Sequence, residues 1–382
     1  MDRGSWAGRL AVGLTAFALV AGCSPSATTT PASSPSAVPS VTTPAPTASP
    51  IAAASPTATP TSAPTPTPTL WSQGKAAAVT GTIDCGTVVK AGTEPSPPPY
   101  TLIGQDLGCT ATASDPRVTG TGSFLLTVEG WDPALPTAGT NGVAWGYQEI
   151  KGPDGTWTGR TYGVYDKDGV LHNYGILVGS GAYKGLIYAV SGTVPANGAT
   201  ADSIGVIQPG TLPPGYLVTL FSAPAPSSTK SPSAKWAAVT GTMDCNNLIK
   251  AGALQWTTPP YTLTGQVLAC TATASDPRVS GTGNANLNIE GWDPTQGYNA
   301  VAWVYQEIKG PDGTWAGRAY AIYDKDGIVH GFSIFAGSGA YKGLIYAFST
   351  AIPAGTASLD TIGVIQPGAP PPGFPVAPFP AP

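Results

Sequence analysis

The 382-residue sequence carries 17 Lys and Arg against 21 Asp and Glu, a formal net charge of −4, and only 10% of its residues are charged. No basic stripe is present to track a phosphate backbone, which excludes nucleic acid as a partner class. With 49 glycines and abundant Thr, Val and aromatic residues, the composition suits short strands joined by tight turns.

The chain opens with "MDRGSWAGRLAVGLTAFALVAGC". Arg3 and Arg9 flank the start of an apolar run, Leu10 to Val20, that is too short for an ordinary membrane span. The run ends in "LVAGC", which resembles the lipobox of bacterial lipoproteins, although Val20 stands where leucine is commoner. The resemblance implies a signal peptide over 1–22 and lipid on the Cys23 sulfur. It also implies an extracytoplasmic protein whose partner is the bacterial cell membrane. The alternative is an ordinary signal peptide with an incidental cysteine. From Ser24 to about Thr69 the sequence is nearly all Pro, Thr, Ser and Ala, so residues 23–72 read as a disordered stalk. At about 3.1 Å per residue its limiting reach is on the order of 140 Å.

Five cysteines are an odd number for an exported chain. Assigning Cys23 to lipid leaves Cys85 and Cys109 in one half, and Cys245 and Cys270 in the other. Of three possible pairings, Cys85–Cys109 with Cys245–Cys270 keeps one disulfide in each half. Each would stabilise its half by roughly 3 kcal/mol in the chain-entropy account. No thiol then remains for catalysis or zinc, and no cofactor is expected.

Two long repeats follow. "AAVTGTIDC" (Ala77 to Cys85) returns as "AAVTGTMDC" (Ala237 to Cys245), and "YQEIKGPDGTW" (Tyr147 to Trp157) returns unchanged from Tyr305. "IGVIQPG" (Ile204 to Gly210) returns from Ile362. This is a duplicated domain, with copies over 73–221 and 236–368, a flexible linker over 222–235, and a Pro-rich tail over 369–382. Within the first copy, runs rich in Val, Ile, Thr, Tyr and Trp predict strands near 76–84, 100–105, 107–114, 121–131, 142–150, 156–165, 170–178, 182–193 and 202–208. The second and third of these can be one bent strand. "GPDG" and "KDG" mark hairpins, because Asp-Gly supplies the positive φ that tight turns require. The fold class is therefore all-β: two tandem antiparallel β-barrels of about eight strands each.

"GSGAYKG" (Gly179 to Gly185, repeated from Gly337) poses a choice between a phosphate loop and a turn. Its glycine spacing fits neither a dinucleotide nor a P-loop motif, and the "LIYAVSGTV" that follows is β-like. The stretch reads as a tight turn between strands. In combination, "SDPRVTGTG", "GTWTGRTYGVY", "GSGAYKGLIYA" and "IGVIQPG" resemble an uncharacterised repeat of bacterial exported lipoproteins. More distantly, the Gly-x-Gly-aromatic turn is similar to that of dirigent and allene-oxide-cyclase barrels, which implies an eight-stranded barrel with an interior cavity.

Few residues are available for chemistry. His172 and His330 follow the two "DKDG" turns; beside Asp166, Asp168 and Glu149 such a histidine is suited to proton transfer, or it is simply a polar rim position. Glu149 and Glu307, with Glu129, Asp132, Glu290 and Asp293, are the carboxylates from which a glycoside-type acid/base pair would have to come. Asp115 and Arg117 in "SDPR" suit a turn with a local ion pair. "DKDG" lacks the further ligands of a calcium loop, so no metal site is expected. No serine lies in a G-x-S-x-G frame.

The aromatic residues are the stronger candidates for ligand binding: Trp131, Trp145, Tyr147 and Tyr165, with Trp292, Trp303, Tyr305 and Tyr323 in the second copy. Some must fill the barrels, while those at a mouth or on one face form a stacking platform. The leading expectation is a surface-anchored, non-enzymatic protein whose tandem barrels bind a small apolar or aromatic molecule or a glycan. The alternatives are a cyclase- or isomerase-like enzyme working in the barrel cavity, and a structural or adhesive spacer.

Overall fold

A computed structural model of the chain describes residues 76–94, 100–131, 142–196, 198–221, 236–255, 260–292, 299–353, 356 and 358–379. Cys23 and the expected signal peptide and stalk lie outside these residues. The first repeat forms β1 (Ala77–Lys90), β2 (Tyr100–Ala113), β3 (Gly120–Trp131), β4 (Val143–Lys151), β5 (Gly155–Tyr165), β6 (Leu171–Gly181), β7 (Leu186–Val194) and β8 (Thr200–Pro209). The second forms β9 (Ala237–Lys250), β10 (Ala253–Gln255), β11 (Tyr261–Ala274), β12 (Gly281–Trp292), β13 (Ala300–Lys309), β14 (Gly313–Tyr323), β15 (Val329–Gly339), β16 (Leu344–Ile352) and β17 (Ser358–Pro367).

In the first repeat each strand pairs antiparallel with its sequence neighbour, and β1 closes on β8 with Val79 opposite Gly205. In the second repeat β9 pairs with both β11 and β17, closing an equivalent barrel to which the short β10 is added. Closure leaves no long unpaired edge. The two stretches around 100–114 are indeed one strand, β2, bent where the register shifts between Leu102 and Gln105. Gly104 takes φ 66° at that bend, a conformation glycine adopts without a Cβ clash.

Alternation along each strand divides side chains between the barrel interior and its outer wall. One end of the first barrel is plugged. Trp157 and Tyr183 stack there at 5.1 Å between ring centroids, with Tyr188 tilted against Trp157 at 5.8 Å. Trp157 donates its indole N–H to the Arg117 carbonyl at 2.8 Å. Arg117 in turn holds Asp115 at 2.6 Å, the local pair that "SDPR" suggested. Trp315, Tyr341 and Tyr346 plug the second barrel in the same way.

The repeated glycine stretch makes this plug. It is the β6–β7 turn, in which Tyr183 N donates to Ser180 O and Leu186 N to Tyr183 O. Tyr183 is thereby tucked inward, while Lys184 points to solvent. The disulfides Cys85–Cys109 and Cys245–Cys270 tie the first strand of each barrel to the next full-length one.

The barrels lie side by side across an apolar seam. The outer faces of β4 to β6 supply Trp145, Tyr162 and Tyr174, and those of β13 to β15 supply Trp303, Tyr320 and Phe332. Tyr162 stacks on Phe332 at 6.3 Å across it. The segments after β8 and β17 also enter the seam through Tyr216 and Phe374. Residues 369–379 of the Pro-rich tail are thus structural, the counterpart of Thr211–Phe221. Gln208, at the plugged end of the first barrel, lies against Gly291 at the open end of the second, and Gly130 at the first open end lies against Trp236. The two barrels are therefore antiparallel, and their open ends face opposite ways.

Candidate ligand cavities of the two barrels

Above each plug the interior is hollow. The first barrel holds a cavity of about 300 Å³ and the second one of about 210 Å³. Both are bounded by corresponding residues: Ile83, Leu107, Leu126 and Leu171 in the first, and Met243, Leu268, Leu287 and Val329 in the second. Each reaches the open rim, where Tyr165 and Tyr323 line it. Burial raises the Tyr165 hydroxyl above its usual pKa, so it stays neutral. Among the described residues no Asp, Glu, Lys, Arg or His lines either cavity.

Neutral polar groups punctuate the apolar walls. Gln148 and Gln306 occupy equivalent buried positions; Gln105 and Gln266 are also equivalent, Gln266 buried and Gln105 half-buried. Gln306 Nε2 lies 2.6 Å from the Met243 sulfur. Gln266 Oε1, Ser333 Oγ and Thr350 Oγ1 are buried and have no hydrogen-bond partner among the described residues. A buried acceptor or hydroxyl left unpaired costs about 1–3 kcal/mol. These atoms make the second cavity a place where a partner would be favoured.

The sequence candidates are dispersed by strand parity. Trp145, Tyr147 and Glu149 share one face of β4, but that face is the outer one; Gln148 points inward. Trp145 is 2% exposed and Trp303 6% exposed, both buried in the seam. Neither is available as a stacking platform. Tyr147 and Tyr305 stay half-buried on the outer wall. Tyr305 donates to Glu307 at 2.9 Å, and burial, reinforced by that carboxylate, lifts its hydroxyl to about 12. Trp292 is half-buried, tilted against Tyr261 at 5.7 Å and packed on the apolar cluster near the second rim. The side chain of Trp131, and Asp132 and Asp293, lie outside the described residues.

His172 and Glu149 also project from the outer wall. His172 Nε2 is 3.1 Å from Asp166 Oδ2, while Asp166 Oδ1 accepts from the Asp168 and Val170 amides. His330 repeats this with Asp324 at 3.1 Å. These contacts clamp the hairpin turn and place no imidazole in a cavity. Glu149 pairs with Lys151 at 3.0 Å on the surface. Glu129 lies on the outer face of β3, where burial raises its carboxyl to about 7. Among the described residues, no group of three His, Cys, Asp or Glu is placed to hold a metal.

Sequence reasoning missed the interior polar positions. Their signal was present in the alternation of β4, where Gln148 stands between the outward Tyr147 and Glu149, but a glutamine in a strand reads as solvent-facing. In comparisons with known proteins, no family model, no curated protein and no solved structure matches the chain.

Proposed function

We propose that this protein is an exported, lipid-anchored binding protein whose barrels each hold one small, uncharged, largely apolar molecule. The observation that carries this reading is the pair of hollow interiors walled largely by apolar and neutral polar side chains, with no charged one among the described residues. A pocket of this kind suits binding by burial of apolar surface, with a few polar atoms fixing orientation. It is poorly suited to proton transfer, because its lining offers neutral amides, hydroxyls and phenols and no carboxylate or imidazole. The glycan alternative loses support because Trp145 and Trp303 are engaged in the seam. Two disulfides fit an oxidising compartment outside the cytoplasm. The "LVAGC" motif supports attachment through Cys23 to the membrane.

The test is calorimetric titration of the full chain with indole and cyclohexanol, neutral molecules of suitable size. Binding is expected, and Thr161→Leu and Ala319→Leu, which narrow the first and second cavities respectively, should each remove one site. Absence of heat from both compounds, or heat unaltered by either substitution, would refute interior binding.

A further inference from the structure

The two cavities are built from the same strands but are not chemically equivalent. Where the first barrel has Gly175 and Gly192, the second has Ser333 and Thr350. Both lie on the inner face. Ser333 stands opposite Phe348, and Thr350 stands opposite Gly331, so the two hydroxyls are diagonal neighbours on adjacent strands. Ser333 is 1% exposed and Thr350 9%, and neither hydroxyl has a partner among the described residues. On β11, Gln266 is 5% exposed and presents an unpaired carbonyl oxygen to the same space. Around these atoms the wall is Leu268, Leu287, Val304 and Phe348.

We infer that the second barrel selects a neutral aliphatic alcohol, seating its hydroxyl at Ser333 and Thr350 and its hydrocarbon body against the apolar wall. This rests on the interior-binding reading above and adds the ligand class. A hydroxyl both donates and accepts, so it satisfies a serine and a threonine together; a second hydroxyl of the ligand would supply the donor that Gln266 Oε1 lacks. A carboxylate is disfavoured because no cation lines the cavity to offset its desolvation. The volume of about 210 Å³ admits a molecule of roughly seven non-hydrogen atoms, at about 30 Å³ each, the share of one water in the liquid. The first barrel is wider and has glycines at these two positions, so it lacks this adjacent pair of hydroxyls; its own hydroxyls, Thr161 and Ser203, stand elsewhere on the wall.

The test uses the full chain carrying Thr161→Leu, so that the second cavity dominates. Hexan-1-ol, its methyl ether and hexanoate are titrated calorimetrically against this chain, and against the same chain with Ser333→Ala and Thr350→Val. The alcohol should bind about five- to tenfold more tightly than the ether, hexanoate should not bind measurably, and the added pair of substitutions should abolish the preference, weakening the alcohol more than the ether, whose oxygen can only accept. Ser333→Ala alone should show part of the loss, which guards against a fold defect in the combined variant. Equal affinities for alcohol and ether, or an unchanged preference after substitution, would overturn the alcohol assignment while leaving interior binding intact. Hexanoate binding as tightly as the alcohol would overturn the uncharged class. No binding of any of the three would overturn both readings.

Discussion

Arg160 and Arg318 occupy equivalent positions in the two barrels, and each grips the tail of both repeats. Arg160 donates Nε to Thr219 O at 2.7 Å in its own repeat and Nη1 to Pro372 O at 2.8 Å in the other. Arg318 donates Nε to Ala377 O at 2.7 Å in its own repeat and Nη1 to Pro214 O in the other. Arg160 and Arg318 are each 4% exposed, and their guanidinium groups stack over a tail aromatic, Phe221 and Phe379 respectively. The exchange is reciprocal, as in an isologous dimer interface, but here within one chain. Among the described residues neither cation has an ion-pairing carboxylate, and each is stabilised by carbonyl oxygens and a ring face.

Arg160→Met keeps the apolar stem but strands the Thr219 and Pro372 carbonyls. Loss of about 2–4 kcal/mol is expected, the range for breaking a buried charged hydrogen-bond set. Chemical denaturation should show a lower midpoint, and in the combined variant with Arg318→Met the barrels should unfold in two separate transitions. A single unshifted transition would show that the seam contributes nothing to cooperativity.

The turn glycines differ in what they are needed for. Gly185 has φ 86° and open space where a Cβ would go, so Gly185→Ala should cost about 1–2 kcal/mol from backbone strain alone. At Gly179 a Cβ would sit 2.2 Å from the Tyr183 carbonyl, and Gly179→Ala must displace the turn that seats Tyr183. Its larger cost should come with altered near-ultraviolet circular dichroism from Trp157, a signal that Gly185→Ala leaves unchanged.

Gln208 and Gln366 are buried in the seam with both ends of each side-chain amide unpaired among the described residues. An apolar residue of similar length removes that burden. Gln208→Leu should stabilise the chain by about 1 kcal/mol, read as a raised denaturation midpoint. Destabilisation would mean that these amides have partners in solution.

Glu129 titrates near 7 because of burial, against an ordinary value of 4.5. The native state therefore holds a proton that the unfolded chain releases between those values. Stability is fully present below about 4.5 and falls as pH rises towards 7, by on the order of 3 kcal/mol. Burial also raises Glu290, adding to the same slope. Asp115 acts oppositely at lower pH: burial pushes its carboxyl up, and the hydrogen bonds and charge of Arg117 outweigh that and leave it lowered. Glu129→Gln should flatten the decline between pH 5 and 7 in denaturation series; an unchanged slope would contradict the assignment.

Much of the architecture was legible in the sequence. Strand alternation and the Asp-Gly turns indicated tandem antiparallel barrels, and cysteine spacing indicated the disulfide pairs. The β-like run after Gly185 marked "GSGAYKG" as a turn. The candidate site was much less legible. Alternation puts Trp145 and Tyr147 on one face but does not say whether that face is inside or, as here, on the outer wall. The outer wall became apolar because a second barrel covers it, a fact carried by residues such as Phe332 and Phe374 far along the chain. Likewise "PPPGF" resembles a loose tail by composition; it is fixed by Arg160 of the other repeat and by Phe374 packing into the seam.

The most direct measurement is native mass spectrometry of the full chain purified from its own host, compared with the same sample denatured. Interior binding predicts a neutral adduct below about 200 Da, present under native conditions and lost on unfolding, with disulfides intact. A native mass equal to the denatured mass, for a protein whose disulfides are formed and whose cavities bind neither indole nor cyclohexanol, would contradict the account.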